Sequence, residues 1–187
     1  GEYVAPGVLK KPYIQCEYIH AMGNSPGDAE DYFQCIERHP GFCGGFVWEW
    51  CDHAVYAGRT IEGKKKFLYG GDHNELLHDV NFCMDGLVYP DRTPHVGLLE
   101  YKNVLRPLRI RCENGTFIAR NILDFTNARD FVRVAYEVVC DGELVARGDI
   151  PQVSLDIVPH GEAALPLTLD LPTGHCFVRF RQFQTVD

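Results

Sequence analysis

One acidic residue at the end of a short apolar run is the strongest candidate for chemistry in this sequence. Glu17 closes the run at residues 13–17, and residues 23–26 are glycine, asparagine, serine and proline. In α/β barrels the reacting groups lie at the carboxyl ends of strands, where the chain enters the next loop. This position favours Glu17 as a reacting carboxylate. The alternative is a carboxylate that only caps the helix that follows.

The elements that must position Glu17 form a strand–helix–strand unit. Residues 13–17 predict a short buried strand, and the apolar residues 42–50 predict a strand covered on both sides. Between them we expect a helix with Ser25 as N-cap, Pro26 as its first residue and Asp28 as the acid of a capping box. Its apolar face carries Ala29, Tyr32, Phe33 and Ile36 at helical spacing. This order of elements implies a parallel crossover.

The rest of the first half supplies loops and one more helix. Residues 52–92 are predicted to be loop-rich, and loops of this length usually carry function. A helix is predicted to open at residues 93–94. Its apolar side carries Leu98, Tyr101 and Leu105. Two parallel strands and two helices cannot close a barrel. Residues 1–106 therefore predict an incomplete C-terminal portion of a (β/α)8 TIM barrel, cut from a longer enzyme. The strand edges and apolar helix faces of this partial barrel would be uncovered, so we expect the isolated chain to self-associate.

From residue 107 onwards the pattern changes to alternating strands joined by tight turns. Asn114-Gly115 and Asp141-Gly142 are the dipeptides that two-residue hairpins favour. One face of the second hairpin carries Val132, Val134, Tyr136 and Val138. Residues 165–171 and 177–183 predict two more strands. Residues 107–187 therefore predict a β-sandwich of about the size of an immunoglobulin-like domain.

Composition and charge exclude several kinds of partner. Of the 187 residues, 45% are hydrophobic and 24% are charged, as in ordinary globular domains. The net charge of −8 is spread along the chain without a basic stripe, so we expect no nucleic-acid partner. No apolar run approaches the roughly 18 residues that cross a bilayer, so we expect no membrane partner. The eight cysteines include no C-x-x-C pair, and we expect reduced thiols in a cytoplasmic protein.

Residues 14–24, Ile-Gln-Cys-Glu-Tyr-Ile-His-Ala-Met-Gly-Asn, resemble the nucleophile motif of family 2 glycoside hydrolases, specifically of bacterial β-galactosidases. The resemblance is strong over residues 12–107 and implies that Glu17 attacks a sugar. Retaining glycosidases pair such a nucleophile with an acid/base carboxyl group about 5–5.5 Å away. In the family that second group lies on an earlier barrel strand, which no part of this sequence matches. We therefore expect the chain alone to lack galactosidase activity.

The same resemblance implies which residues contact the sugar. At the position of His20 the family has a histidine that binds galactose, and at Trp48 it has an aromatic residue that lines the sugar pocket. Indole suits this role because it covers the apolar face of galactose while its N–H remains a donor. Without the resemblance, both residues could be packing residues. Glu49 and Asp52 end the same strand and could be taken for the missing acid/base, a role that the family does not give to the residue at the position of Glu49.

Residues 82–88 resemble the family's sodium-site loop. The resemblance implies that Phe82, through its carbonyl, and Asp85, through its side chain, bind sodium beside the substrate, and hard oxygen ligands suit an alkali cation. Asp85 replaces an asparagine of the family. His78 occupies a position near an accessory magnesium, although imidazole is a poor magnesium ligand. We expect both ions in the full-length enzyme and neither to bind firmly to this chain alone.

These motifs together predict part of a retaining β-galactosidase that hydrolyses terminal β-galactosides such as lactose. Two alternatives remain, namely a family 2 β-glucuronidase or β-mannosidase, and a carbohydrate-binding module without catalysis. His20 and residues 82–86 favour galactose. A binding module gives no reason for Glu17 and Trp48 at adjacent strand ends. A homo-oligomer is expected by analogy with the family.

Overall fold

The computed structural model describes residues 10–24 and 26–185, which fall into two compact units. The first unit ends at Leu105 and the second begins at Arg106. In these residues, no helix is both long enough and apolar enough to cross a membrane. The first unit contains β1 (Tyr13–Tyr18), α1 (Ala29–Arg38), β2 (Phe42–Val47), β3 (Val55–Arg59), β4 (Lys65–Leu68) and α2 (Val96–Val104).

The first unit is built on a parallel pair of strands. β1 pairs with β2 in parallel and α1 connects them, which confirms the predicted crossover. A buried cluster joins the end of β1 to both helices, and it consists of Tyr18, Ile19, Ala29 and Val104. The hydroxyl oxygens of Tyr18 and Tyr101 lie 2.9 Å apart inside this cluster. Burial, and then the contact with Tyr101, raises the pKa of Tyr18. The cluster therefore fixes the strand end that follows Glu17.

The predicted start of the first helix is wrong. α1 begins at Ala29 rather than at Pro26, and its N-cap is Asp28. Asp28 has a φ of 57°, a left-handed conformation that aspartate tolerates better than most residues, and its side chain makes no capping hydrogen bond. Ser25, the predicted cap, lies outside the described residues.

Four other predictions for the first unit also need correction. The strand at residues 13–17 is not buried, since Ile14 is 56% exposed and only Tyr18, the last residue of β1, is buried. Phe46 of β2 is 66% exposed, because in the described part of the chain β2 has only β1 as a strand neighbour and is not covered on both sides. Residues 52–92 contain the antiparallel hairpin of β3 and β4, which the loop prediction missed. α2 begins later than predicted, at Val96, and Leu105 is its half-exposed C-cap.

The second unit contains two antiparallel sheets around one core. Its elements are β5 (Leu108–Glu113), β6 (Thr116–Asn121), α3 (Ala128–Phe131), β7 (Val132–Cys140), β8 (Glu143–Asp149), a 3-10 helix (Gln152–Leu155), β9 (Glu162–Ala164) and β10 (Cys176–Gln184). The strand orders are β5-β6-β9 and β10-β7-β8. Residues of both sheets, among them Leu108, Ala119, Val132 and Val134, form a single buried cluster. Both predicted hairpin turns are confirmed, since each has positive φ at its two central residues, 49° and 80° at Asn114-Gly115 and 49° and 90° at Asp141-Gly142.

Two predictions for the second unit are wrong. Residues 165–171 do not form a strand, although Leu165 and Leu167, just beyond the short strand β9, bury their side chains. Cys140 and Cys176 are not free thiols but form a disulfide. They are direct partners at the ends of β7 and β10, so the strand register brings their sulfurs together. The other six cysteines are free.

Candidate active site

The carboxyl ends of β1 and β2 lie side by side. The backbone N–H of Trp48 donates to the carbonyl of Tyr18 (3.1 Å), and the N–H of Ala21 donates to the carbonyl of Trp48 (2.7 Å). Between these bonds Ile19 adopts a φ of 51°, which is rare for a β-branched residue, and such backbone strain is often found at functional sites. Glu17, with an exposed side chain, lies in β1 just before this bend. Parallel strands therefore bring the neighbourhoods of Glu17 and Trp48 to one edge.

A third segment lies along the chain that leaves β2. Five backbone hydrogen bonds connect the two segments: Glu49 N–H to Asp85 O (2.6 Å), Leu87 N–H to Glu49 O (2.9 Å), Val88 N–H to Trp50 O (3.0 Å), Asp52 N–H to Val88 O (2.9 Å) and His53 N–H to Cys83 O (2.8 Å). The segment at residues 83–88 is thus held as firmly as a strand, although it lies mostly in irregular structure. This places the predicted cation loop beside the end of β2.

Asp85 is the centre of the candidate site. It is fully buried, and its Oδ2 accepts a hydrogen bond from the indole Nε1 of Trp48 at 3.1 Å. The imidazole Nε2 of His20 lies 3.8 Å from the same oxygen. The other carboxylate oxygen, Oδ1, has no hydrogen-bond partner among the described residues. Because a buried polar atom without a partner is costly, this oxygen points to a group that binds here.

Phe82 completes the group of predicted sugar contacts. Its ring centroid lies 5.9 Å from that of His20, and 61% of Phe82 is exposed. Trp48 is also partly exposed, at 41%. The structure thus brings four of the five predicted substrate residues into one group around Asp85, while Glu17 lies on the strand that leads into His20. Two aromatic surfaces and one buried carboxylate can recognise a neutral polyhydroxy ring.

Glu49 has an unusual electrostatic environment. Burial raises the pKa of Glu49 above its ordinary value, and His53 acts in the opposite direction. A hydrogen bond between the side chains of Glu49 and Asp85, which requires a protonated Glu49, raises this pKa further, as do the charges of Asp85 and Asp52. The His53 Nε2 lies 3.3 Å from a Glu49 carboxylate oxygen. The Trp48–Glu49 peptide is cis. A raised pKa is a property that Glu49 shares with carboxyl groups that act as general acids.

Asp52 and His95 form a contact that the sequence did not predict. Asp52 Oδ2 lies 2.7 Å from His95 Nε2, and Asp52 Oδ1 accepts the backbone N–H of Gly86 at 2.9 Å. Asp52 is 4% exposed. An acid within an apolar run is a signal that it has a buried partner, but nothing local to Asp52 identifies a histidine 43 positions away.

The predicted cation residues differ in their surroundings. Asp85 offers one buried oxygen of the hard type that suits sodium. His78 is exposed, and its Nδ1 accepts the backbone N–H of Val80 at 3.2 Å, which leaves that nitrogen unsuitable as a ligand. Within residues 10–24 and 26–185, no three side chains of histidine, cysteine, aspartate or glutamate form a metal-binding group. Imidazole is a poor ligand for magnesium, and the magnesium site at His78 stays a prediction.

Comparison with known proteins agrees with this arrangement. Residues 3–110 match the family model described as glycosyl hydrolases family 2, TIM barrel domain. The chain is 49% identical over 169 residues to a β-galactosidase of Actinobacillus pleuropneumoniae, covering 90% of this chain and 16% of that protein. It is 50% identical over 133 residues to a β-galactosidase of Staphylococcus xylosus, covering 71% of this chain and 13% of that protein. A β-galactosidase of Arthrobacter sp. strain B7 is 39% identical over 168 residues, or 87% of this chain and 16% of that protein.

The chain thus spans about a sixth of the length of the curated relatives that it matches. The family match covers more than half of the chain, including β1, β2 and the segment that carries Asp85. We conclude that the chain belongs to family 2 of the glycosyl hydrolases and contains residues of the TIM barrel domain of that family.

Proposed function

We propose that this chain is part of a retaining β-galactosidase. The observation that carries the proposal is that His20 and Trp48, from two separate segments, converge on the buried carboxylate of Asp85 in a third segment, whose Oδ1 has no hydrogen-bond partner among the described residues. Several relatives that cover most of this chain are named β-galactosidase, which supports galactose as the sugar. Because the chain is a sixth of their length, the activity is proposed for the complete protein that contains it.

In this proposal Glu17 is the nucleophile. Its carboxylate attacks the anomeric carbon, the bond to the leaving oxygen breaks, and a covalent glycosyl-enzyme forms. A second carboxyl group, contributed by a part of the enzyme outside this sequence, protonates the leaving oxygen. The same group then removes a proton from a water molecule that attacks the anomeric carbon. The bond to Glu17 breaks, and galactose is released with retained configuration. The exposed side chain of Glu17 at a strand end is accessible for this attack.

The sugar lies against the group around Asp85. The exposed part of Trp48 covers an apolar face of the ring, while its N–H stays bonded to Asp85. His20 donates to a hydroxyl, and the exposed ring of Phe82 borders the same space. Asp85 Oδ1, which has no partner in the described part of the chain, accepts a hydrogen bond from a sugar hydroxyl or helps to hold sodium, which would supply a positive charge next to that hydroxyl.

The architecture that we propose for the intact enzyme follows from the two units. The parallel pair β1 and β2 would be consecutive strands in the C-terminal portion of the TIM barrel. The two antiparallel sheets of the second unit, which share one core, support an immunoglobulin-like sandwich. The homo-oligomer and the cytoplasmic location stay predictions.

The full-length protein provides the test. Glu17→Gln should abolish hydrolysis of a chromogenic β-galactoside while galactose binding is retained, and Glu143→Gln, the same change at an exposed position of the second unit, should have no effect. A 2-deoxy-2-fluorogalactoside should add one glycosyl mass to a peptide that contains Glu17. Unchanged turnover in Glu17→Gln would refute the proposed nucleophile.

Substrate choice separates the remaining alternatives. Faster hydrolysis of a β-glucuronide or a β-mannoside than of the matching galactoside would assign another activity within the family. Galactose binding by a wild-type enzyme that hydrolyses none of the three would indicate a binding module. The isolated chain should show no turnover, because the proposed acid/base group is not part of it.

A further inference from the structure

We propose that Asp52 and His95 are positioning residues that hold Asp85 in its sugar-binding place, an inference that rests on the β-galactosidase activity proposed above. Neither residue belongs to the predicted set of sugar contacts. Both oxygens of Asp52 have protein partners, and Asp52 is 4% exposed, so its side chain is directed at those partners rather than at an open surface. Its role must therefore be exerted through those partners.

The first partner is the peptide next to Asp85. Asp52 Oδ1 accepts the N–H of Gly86, and the carbonyl of Asp85 accepts the N–H of Glu49. Gly86 also packs closely against the Asp52 backbone, since a Cβ added to Gly86 would lie 2.1 Å from the Asp52 nitrogen. The chain on the carboxyl side of Asp85 is thus held by a buried side chain and by backbone contact. A shift of this peptide would move the Asp85 carboxylate away from Trp48.

The second partner anchors Asp52 itself. His95 is the N-cap of α2, and its backbone N–H donates to the carbonyl of Leu87 at 3.0 Å. Its ring stacks on Tyr89 with 3.7 Å between the centroids. These contacts fix the imidazole independently of Asp52. The order of contacts from α2 to the site is therefore His95, Asp52, Gly86 and Asp85.

Three variants of the full-length enzyme test this order of contacts. Asp52→Leu removes both acceptors, and His95→Phe keeps an aromatic ring against Tyr89 but removes the hydrogen bond. His95→Gln keeps a donor and removes the ring. Displacing a substrate-contacting group weakens substrate binding, and misplacement by about 1 Å can cost 100-fold. We expect Asp52→Leu and His95→Phe to raise KM for a β-galactoside about tenfold with a smaller change in kcat, whereas His95→Gln stays within about threefold of wild type.

The division between KM and kcat separates positioning from simple folding. If the pair only stabilised the fold, the variants would contain less active enzyme, so that apparent kcat would fall at an unchanged KM. That result, or equal behaviour of His95→Gln and His95→Phe, would overturn the inference. Should Asp52→Leu be insoluble, Asp52→Asn takes its place. The KM of Asp52→Asn is then compared with the KM of the double variant that also carries His95→Phe. A wild-type enzyme without galactosidase activity would instead refute the proposed function.

Discussion

The hydrogen bond between Trp48 and Asp85 supports a quantitative prediction about substrate turnover. The indole Nε1 donates to Asp85 Oδ2 over 3.1 Å, and this carboxylate is fully buried. Replacing Trp48 with phenylalanine removes the donor and keeps an aromatic surface for the sugar. The carboxylate then loses its direct indole donor, while the imidazole of His20 stays 3.8 Å from the same oxygen. We expect Asp85 to change position and sugar binding to weaken.

The expected size of the effect follows from burial. A hydrogen bond to a charged group contributes about 1.5–3 kcal/mol net. Trp48 is 41% exposed, so water can partly replace the lost donor, and the lower end of that range applies. About 1.4 kcal/mol corresponds to a tenfold change in kcat/KM. Trp48→Phe should therefore lower kcat/KM for a β-galactoside about tenfold.

A double-mutant cycle isolates this bond from the other roles of the two residues. Kinetics of Trp48→Phe, Asp85→Leu and the double variant, all in the full-length enzyme, should give a coupling free energy of about 1.5 kcal/mol. With Asp85→Asn in place of the leucine variant, an oxygen acceptor remains, and the coupling should fall to about half because neutral hydrogen bonds are weaker. A coupling below about 0.3 kcal/mol in the leucine cycle is what independent residues give and would refute the reasoning.

Three other properties of the protein can be tested. Glu49→Gln should raise the melting temperature more at pH 8 than at pH 4: the pKa of Glu49 is raised in the folded state, so its contribution to stability is complete below its ordinary value of 4.5 and is lost as the pH rises through the raised value. An equal shift at both pH values would contradict this. Asn121→Leu should lower the free energy of unfolding by about 3 kcal/mol or more in urea titrations, because the fully buried Asn121 side chain makes three hydrogen bonds of 2.9 Å to backbone groups. A loss below about 1 kcal/mol would show that these bonds contribute little. Thiol titration of the unfolded, unreduced chain should find six free thiols of eight, and eight would show that Cys140 and Cys176 are reduced.

The features that the sequence predicted well depend on neighbouring residues. Asn114-Gly115 and Asp141-Gly142 mark the two hairpins because two-residue turns need positive φ at both positions. The parallel crossover could be predicted because a helix pattern separates two apolar runs, and β1 and β2 do pair. The group around Asp85 was predicted through family resemblance, and no pattern in residues 82–88 alone would have placed that loop beside Trp48.

The features that were missed depend on contacts between distant residues. The hairpin of β3 and β4 is short and mostly exposed, so it lacks the alternation of apolar residues that indicates a strand. Cys140 and Cys176 meet because of the register between β7 and β10, which nothing near either cysteine specifies. Leu165 and Leu167 are apolar residues two positions apart, a spacing that is typical of a strand. In the structure both are buried, but a residue can be buried in a core without having a strand partner.

Three acidic residues of the first unit show why residue type alone could not assign roles. Asp52 has both oxygens bonded to protein groups, and Asp85, equally buried, has one oxygen bonded and one without a partner among the residues that the structure describes. Glu49 is partly exposed, and its pKa is raised by burial and by the neighbouring Asp85 and Asp52. A buried carboxylate whose two oxygens both have protein partners is suited to position those partners. Among the described residues, Asp85 Oδ1 lacks a partner whereas both oxygens of Asp52 have one, and this difference is the basis on which we propose recognition for Asp85 and support for Asp52.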